Sequence, residues 1–393
     1  MAKSTPILTT HVGSLIRPQR LVEFMKAKES NQPIDTPAFN ACLQESVNDI
    51  VKKQADAGLD IISDGEYGKT WNWSLYITDR LSGIEHRPLK PGEVVARPHF
   101  GKDRRDFAEF YALYDASQPS YGKERAKSRR WTIVAPITYT GNDLIKRDIE
   151  SFQSALKGVQ VSGAFIPAVS PASAFIDRAD EIYRTDEEFL FAFADALNTE
   201  YRQIVDAGFV LQIDDSYFAS YYDVIVPPGT LSDYRKWAAL RVEAINYALR
   251  GIPEEKARFH VCWGSWNSPH ASDVPLKNII DMLFKIKVGG YSIEMANPRH
   301  EHEWSVFANI KLPEGKTIIP GVVSHQTNVV EHPELVAERL TRLAQLIGAE
   351  NLIASTDCGF AQGPFLQRVH PSIQWAKLAA LVEGTKLANR ALG

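Results

Sequence analysis

The sequence predicts an α/β fold, a TIM (β/α)8 barrel with an insertion between strands 2 and 3. Short β-rich runs alternate with helical patterns along the chain, which indicates repeated parallel βα units. Eight such runs can be counted, and polar, reactive side chains follow most of them. At 393 residues the chain exceeds the usual domain size, but barrels with insertions reach this length as one unit. We therefore expect one catalytic barrel over residues 1–393.

The predicted strands are bounded by turn residues, and the predicted helices carry apolar residues at helical spacing. The strands are residues 6–13, 59–63, 131–138, 209–214, 258–262, 290–294, 317–323 and 351–356. The helices include residues 36–57, 187–207, 232–250, 275–287, 333–347 and 371–391. Several of these helices end at a glycine, which readily adopts the left-handed conformation of a helix C-terminus.

Two segments do not fit a bare barrel. Residues 83–130 are polar, rich in proline early and basic late, and we interpret them as the insertion. The basic run at residues 123–130 is typical of a solvated face, and contact with an anionic substrate or a partner subunit is the alternative. The apolar run at residues 161–169 is either a ninth strand or a loop packed over the barrel.

Composition and charge favour small-molecule partners. The formal charge of −4 gives no overall attraction for nucleic acid or for an anionic membrane. The N-terminus has no apolar signal-peptide core, and no apolar run approaches the ~20 residues that a spanning helix needs. We expect a cytoplasmic protein without a membrane or nucleic-acid partner, and we leave a homo-oligomer open.

The most specific pattern is a set of zinc-type ligands at strand ends. His260 and Cys262 are two residues apart in an extended run, so both side chains point to the same face. Two later strand ends present Glu294 and Cys358. Imidazole, thiolates and one carboxylate suit Zn²⁺. The third cysteine, Cys42, lies in a helical pattern and is interpreted as structural.

Other polar side chains end the remaining strands, and in such barrels chemistry occurs at these ends. The candidates are His11, Gly13 and Ser14 after the first strand, Glu66 after the second, Asp214 and Asp215 at the fourth, and His325 after the seventh. His11 is either a substrate contact or a structural histidine. Asp215, His11 and His325 are candidate proton donors. The segment 299–303 resembles a metal tract but more simply opens a helix, and the pairs Trp71/Trp73 and Trp263/Trp266 either line the pocket or pack internally.

Taken together, these motifs resemble the catalytic barrel of the cobalamin-independent methionine synthase family. The resemblance runs over nearly the whole chain, through Gly13-Ser14, Asp64-Gly65-Glu66, residues 135–138, Gln212-Ile213-Asp214, His260-x-Cys262, Ile293-Glu294 and Asp357-Cys358-Gly359. It implies a zinc ion held by His260, Cys262, Glu294 and Cys358. It also implies methyl transfer from methyltetrahydrofolate to the zinc-bound thiolate of homocysteine.

Further roles follow from the same resemblance. Gly13, Ser14, Glu66 and Asp214 match positions that hold the amino-acid thiol, and His325 matches a histidine implicated in proton delivery. The length is similar to the short branch of the family, which includes epoxyalkane:coenzyme M transferases. Addition of a zinc-bound thiolate to an epoxide is therefore the alternative reaction.

The chain departs from the family pattern at two places. Ser220 stands where the family has an acidic residue that helps to hold the homocysteine amino group, and Tyr67-Gly68-Lys69 replaces the residues that follow Glu66 in the family. Two other classes stay open: a uroporphyrinogen-decarboxylase-like barrel, which does not need this ligand set, and a non-catalytic zinc-binding module.

Overall fold

The computed structural model describes residues 5–30, 32–92, 101–117 and 129–393. Its strands are, in chain order, β1 (Leu8–Thr9), β2 (Ile61–Ile62), β3 (Leu81–Pro88), β4 (Arg129–Tyr139), β5 (Gly163–Val169), β6 (Ala179–Asp180), β7 (Val210–Asp215), β8 (Ala257–Val261), β9 (Gly290–Ile293), β10 (Thr317–Val323), β11 (Ile353–Thr356), β12 (Ala361–Gly363) and β13 (Leu366–Gln367). Eight of them form one parallel sheet in the order β1-β11-β10-β9-β8-β7-β5-β2.

The two edges of this sheet approach each other. The Asp60 amide donates to the Thr9 carbonyl over 3.2 Å, and the Thr10 hydroxyl donates to the Ile61 carbonyl over 3.0 Å. The sheet is thus a nearly closed barrel, and the predicted TIM-type fold is confirmed.

Helices alternate with the barrel strands. The α-helices are Gln19–Glu29, Thr36–Asp56, Lys102–Asp106, Ala108–Ser117, Asn142–Ala155, Asp186–Asp206, Tyr217–Ser220, Tyr222–Ile225, Leu231–Ala248, Ile280–Leu283, Pro333–Ile347 and Pro371–Leu392. Short 3-10 helices occur at Leu75–Arg80, Glu254–Lys256, Leu276–Asn278, Glu301–Ala308 and Ala349–Asn351. In the described part of the chain, no helix combines the length and apolar character needed to cross a membrane.

Side-chain caps begin several of the long helices. The Thr185 hydroxyl accepts a hydrogen bond from the Glu188 amide, and Thr230 forms a reciprocal capping box with Asp233. The helix predicted at residues 275–287 is wrong as a continuous element. Only Leu276–Asn278 and Ile280–Leu283 are helical there, because two short turns suffice to bury the apolar residues of this segment.

The prediction that residues 131–138 form the third barrel strand is also wrong. They belong to β4, which pairs antiparallel with β3 and parallel with β6 in a separate three-stranded sheet. The third barrel strand is β5, which pairs with β2 and β7 and contains the apolar run at residues 161–169. A strand covered on both faces needs a continuous apolar run, and β5 is buried from Phe165 to Val169 whereas β4 is partly exposed.

The additions to the barrel include the helices Lys102–Asp106 and Ala108–Ser117, which lie within the predicted insertion, and the sheet of β3, β4 and β6. Only β3 and the start of β4 overlap residues 83–130, whereas β6 lies beyond them. Of the basic run, residues 123–128 lie outside the described residues. Arg129 and Arg130 begin β4, and the Arg130 Nε donates to the Asp177 carbonyl over 2.8 Å. The organisation of residues 1–393 as a single domain stays a prediction.

Candidate metal and substrate site

Three of the four predicted zinc ligands lie together. One ligand atom from each of His260, Cys262 and Cys358 lies within 4.8 Å of the other two. The His260 Nε2 is 3.3 Å from the Cys358 Sγ, and each of the three residues is at most 4 % exposed. The site therefore offers one imidazole and two thiols in a small, buried volume.

Strand geometry explains this convergence. His260 lies on β8, Cys262 follows that strand directly, and Cys358 follows β11 at the same end of the barrel. On the adjacent strand β9, Ser292 is the register partner of His260, and its hydroxyl lies 3.0 Å from the His260 Nδ1. Ser292 thus orients the imidazole with Nε2 towards the sulfur atoms. Burial lowers the pKa of His260, which favours the neutral imidazole that binds metals.

Glu294 lies beside this triad rather than within it. Its Oε2 accepts a hydrogen bond from the Trp263 amide over 3.1 Å, and its Oε1 accepts one from the Asn297 side chain over 2.8 Å. Burial, followed by the nearby Cys262, raises the pKa of Glu294 to about 7. Its assignment as the fourth ligand stays a prediction.

Glu294 also belongs to a second buried group with His325 and Asp357. Their potential ligand atoms lie within 4.8 Å of one another. Within the described residues, neither ring nitrogen of His325 has a hydrogen-bond partner, and His325 is fully buried. Burial lowers the pKa of His325 well below its ordinary value, so the ring is neutral.

A cleft with about 780 Å³ of empty space contacts the triad. Of the predicted site residues, its lining contains Ser14, Glu66, Asp214, Asp215, His260, Cys262 and Cys358. His11, Gly13, Glu294 and His325 are not among the described residues that line it. Trp73 and Trp266 contribute aromatic surface to the lining, whereas Trp71 and Trp263 are not among the described residues that line it. Each tryptophan pair is therefore divided between the two interpretations.

Glu66 is held in a tight turn at the edge of the cleft. Its backbone is left-handed, with φ of 62°, and its side chain forms an ion pair with Lys69 in which Oε2 and Nζ are 3.0 Å apart. Gly13 packs against the same carboxylate, since a Cβ at residue 13 would lie 2.9 Å from the Glu66 Oε1 and 2.5 Å from the Pro167 Cγ. Only glycine fits at position 13.

Asp214 lies on β7 among polar partners. Its Oδ1 accepts a hydrogen bond from the Gln212 side chain over 2.7 Å. Burial, followed by the charge of Glu66, raises the pKa of Asp214 to about 7. Gln212 in turn accepts from the buried Arg258 over 2.8 Å, and burial lowers the pKa of this arginine to about 9.

Two of the predicted site residues, Asp215 and His11, form hydrogen bonds within the protein. Both carboxylate oxygens of Asp215 accept hydrogen bonds, from the hydroxyls of Ser170 and Ser173 and from the Phe218 amide. The His11 Nε2 lies 2.7 Å from the Gln54 side-chain oxygen, and its Nδ1 accepts from the Gly13 amide over 3.1 Å. These contacts match the structural alternative for His11.

The 299–303 segment turns inward. His300 stacks on Trp263, with ring centroids 3.9 Å apart, and its Nε2 lies 3.0 Å from the Asp273 carboxylate. His270 contacts the same carboxylate over 3.0 Å, and its ring stacks on Trp266 of the cleft wall. The segment opens a 3-10 helix, and the ion pairs of His300 are buried rather than solvated.

Sequence reasoning missed the hairpin formed by β12 and β13. Its residues Gln362 and Leu366, together with Arg368 just after it, line the cleft. A backbone hydrogen bond ties the hairpin to the segment that contains Trp73, since the Trp73 amide donates to the Gln362 carbonyl over 2.8 Å. The only sequence signal was an arginine ten positions after Cys358, which is too weak to identify a site residue.

Known proteins resemble this chain along nearly its whole length. The 2-hydroxypropyl-CoM lyase of Xanthobacter autotrophicus is 24% identical over 421 residues, which cover 98% of this chain and 96% of the lyase. A methionine synthase of Saccharolobus islandicus is 24% identical over 399 residues, with 100% and 98% covered. The solved structure of a B12-independent methionine synthase from Shewanella sp. W3-18-1 in complex with selenomethionine has a TM-score of 0.72 at 17% identity, with 99% of each chain covered.

The last of these supports the fold alone, because its sequence identity is low. The model of the cobalamin-independent synthase catalytic domain matches residues 178–380, which contain all four predicted zinc ligands and two of the three candidate proton donors, Asp215 and His325. The match spans more than half of the chain. The protein therefore belongs to the cobalamin-independent synthase catalytic-domain family.

Proposed function

We propose that this protein is a zinc-dependent enzyme that transfers an alkyl group to a thiol. The observation that carries the proposal is the buried triad of His260, Cys262 and Cys358, whose ligand atoms converge within 4.8 Å at the lining of a cleft. Family membership supports the reaction class.

The donor set fits zinc chemically. One imidazole and two sulfur atoms are typical zinc ligands, and Glu294 beside them is our candidate for the fourth. Burial, followed by its contact with Cys262, raises the pKa of the Cys358 thiol well above its ordinary value, so a cation is needed to hold this sulfur as a thiolate. When bound, zinc would also hold an incoming thiol as its nucleophilic thiolate.

The residues of the chain would orient the reactants and keep water out. The thiol sulfur forms a bond to the alkyl carbon, and the bond from that carbon to its nitrogen or oxygen leaving group breaks with its electron pair. The proton released by the thiol ends on the leaving atom. Ser14, Glu66 and Asp214 would orient the thiol, while Trp73 and Trp266 would provide the apolar wall against the alkyl donor.

The predicted proton-transfer residues have different surroundings. Asp215 already accepts three hydrogen bonds, so we assign it a positioning role for the segment that contains Ser170 and Ser173. His325 does not line the cleft, so proton transfer from it would have to pass through Glu294 or Asp357. His325 is our remaining candidate for proton transfer.

Two substrate pairs follow from the family. The first is homocysteine with methyltetrahydrofolate, as the resemblance to methionine synthases implies. The alternative is an anionic thiol such as coenzyme M with an epoxide, in line with the name of the Xanthobacter relative.

Metal analysis tests the proposal. The purified protein should contain about one zinc per chain, and Cys358→Ser should lower the zinc content strongly because it removes one of two sulfur ligands. Cys42→Ser is the matched control, since Cys42 is a buried cysteine within the helix Thr36–Asp56 and should leave the zinc content unchanged.

Cobalt(II) substitution distinguishes a catalytic site from a closed structural one. A sulfur-to-cobalt charge-transfer band that grows when a thiol is added indicates an exchangeable ligand position. The absence of zinc, or equal zinc contents in C358S and C42S, would refute the proposed function. A spectrum that no thiol changes would refute thiol activation.

A further inference from the structure

The carboxylate of Glu66 is already neutralised by a cation of the chain. Lys69 Nζ lies 3.0 Å from Glu66 Oε2, and the exposed fractions of the two side chains are 7 % and 4 %. The turn that begins at Glu66 fixes this pairing, because the Lys69 amide donates to the Glu66 carbonyl over 3.1 Å. Lys69 also lies over the Tyr76 ring, 4.4 Å from its centroid. A substrate ammonium at Glu66 would meet an ion pair rather than a free carboxylate.

The other carboxylates of the lining are also poor partners for an ammonium group. Asp215 has both oxygens occupied by three donors. Asp214 already accepts a hydrogen bond from the Gln212 side chain over 2.7 Å. An additional acidic side chain at position 220 is absent from the sequence, where Ser220 stands. The cleft therefore lacks a strong site for a cation.

Arg368 makes the cleft suited to an anionic group instead. Of the described residues that line it, Arg368 alone carries a permanent positive charge. Its Nε donates to the Gln362 side-chain oxygen over 2.6 Å, and Tyr114 is a further hydrogen-bond partner. No carboxylate of the described chain forms an ion pair with it. Since a guanidinium has five N–H donors, Arg368 can still bind a carboxylate or sulfonate group.

We propose that the cleft selects a thiol that carries a carboxylate or sulfonate and no ammonium group, and that Arg368 binds this anionic group. The inference rests on the proposed thiol alkyl transfer and names the class of its acceptor. It assigns Arg368 as a specificity-determining residue and Lys69 as the residue that excludes amino-acid thiols. Homocysteine, which carries an ammonium group beside its carboxylate, would then be a poor acceptor.

Thiols that differ only in their terminal charge test this directly. Isothermal titration of the zinc-loaded full-length protein would compare 2-mercaptoethanesulfonate, 2-mercaptoethanol and cysteamine, with 3-mercaptopropionate and homocysteine as the carboxylate pair. We expect 2-mercaptoethanesulfonate and 3-mercaptopropionate to bind about tenfold tighter than 2-mercaptoethanol, because each adds one charge-assisted hydrogen-bonding group. Cysteamine and homocysteine, which carry an ammonium group, should bind more weakly than these two anions. The alkyl donor is omitted, so any effect belongs to the thiol.

Variants locate the effect. Arg368→Gln should weaken the anionic thiols about tenfold and leave 2-mercaptoethanol unchanged, whereas Arg342→Gln, which removes a surface arginine paired with Glu338, should change neither. Lys69→Gln should improve cysteamine binding relative to 2-mercaptoethanesulfonate. Tighter binding of homocysteine or cysteamine than of the anions, or equal loss for all thiols in R368Q, would overturn this inference while thiol binding itself stands. Failure of every thiol to bind would overturn the proposed function as well.

Discussion

Replacing Ser292 by alanine should weaken zinc binding without removing any ligand. Ser292 is 2% exposed, and its hydroxyl lies 3.0 Å from the His260 Nδ1 on the neighbouring strand. If Nε2 binds zinc, Nδ1 carries the proton and donates to this hydroxyl. The alanine variant would leave that N–H buried without its partner and would free the ring to rotate away from the sulfur atoms.

The size of the effect follows from this contact. A buried neutral hydrogen bond contributes about 0.5–1.5 kcal/mol, and an unpaired buried donor costs about 1–3 kcal/mol. Orienting partners of metal-binding histidines typically change metal affinity by about 10- to 100-fold. We expect the lower end, about tenfold or about 1.4 kcal/mol, because serine is uncharged and the strand pairing still positions the backbone of His260.

Competition with a chelator measures the zinc dissociation constant for the wild type and the variant. Ser355→Ala is the matched control: Ser355 is a fully buried serine on β11, and among the described residues its hydroxyl has no hydrogen-bond partner. S355A should keep the wild-type zinc affinity. Equal zinc affinities for S292A and S355A would refute the assignment of Nε2 as the metal-binding atom.

Two further predictions concern stability. Burial opposes the charge on His270, but the hydrogen bond to Asp273 and the charges of Asp273 and Glu294 together outweigh burial and raise the pKa of His270 to about 9. This stabilisation is complete below about pH 6.5 and is lost as the pH rises through about 9. Urea unfolding should show this fall, and H270Q should reduce it. Gly359→Ala would place a Cβ in a clash with the Ser14 Oγ and should lower the free energy of unfolding by about 1–3 kcal/mol. Gly163→Ala, whose Cβ would have its nearest neighbour at 3.6 Å, should stay near the wild type in the same assay.

The barrel was predictable because its strands and helices carry local signals, but the pairing of one strand was not. Residues 131–138 and 161–169 are both β-prone, and both contribute a strand. The two strands differ in their pairing partners. β5 pairs with β2 and β7 within the barrel, whereas β4 pairs with β3 in the separate sheet. That depends on contacts between segments far apart in the chain, and a single run of residues does not contain this information.

The convergence of three of the predicted metal ligands was predictable for a geometric reason. Alternation along a strand places His260 and Cys262 on one face, and parallel strands bring Cys358 to the same end of the barrel. The hydrogen-bond partners of the polar residues were harder to predict from the sequence. Asp215 and His11 have the right chemical types for catalysis, yet both are occupied by internal hydrogen bonds that only the folded chain reveals. Arg368 was missed because a hairpin after the last barrel strand brings it to the cleft.

The proposed metal ligands and the proposed specificity residues therefore lie in different parts of this chain. The proposed ligands His260, Cys262 and Cys358 lie at the ends of β8 and β11, where the strand pairing of the barrel fixes them. The proposed acceptor specificity depends on the charges of Glu66 and Lys69 in one turn and of Arg368 directly after the β12–β13 hairpin. We therefore expect a substitution of Lys69 or Arg368 to change the charge of the preferred thiol without moving a proposed metal ligand. Family membership consequently predicts the class of reaction, whereas the ion pair at Glu66 and the guanidinium of Arg368 are what predict the acceptor.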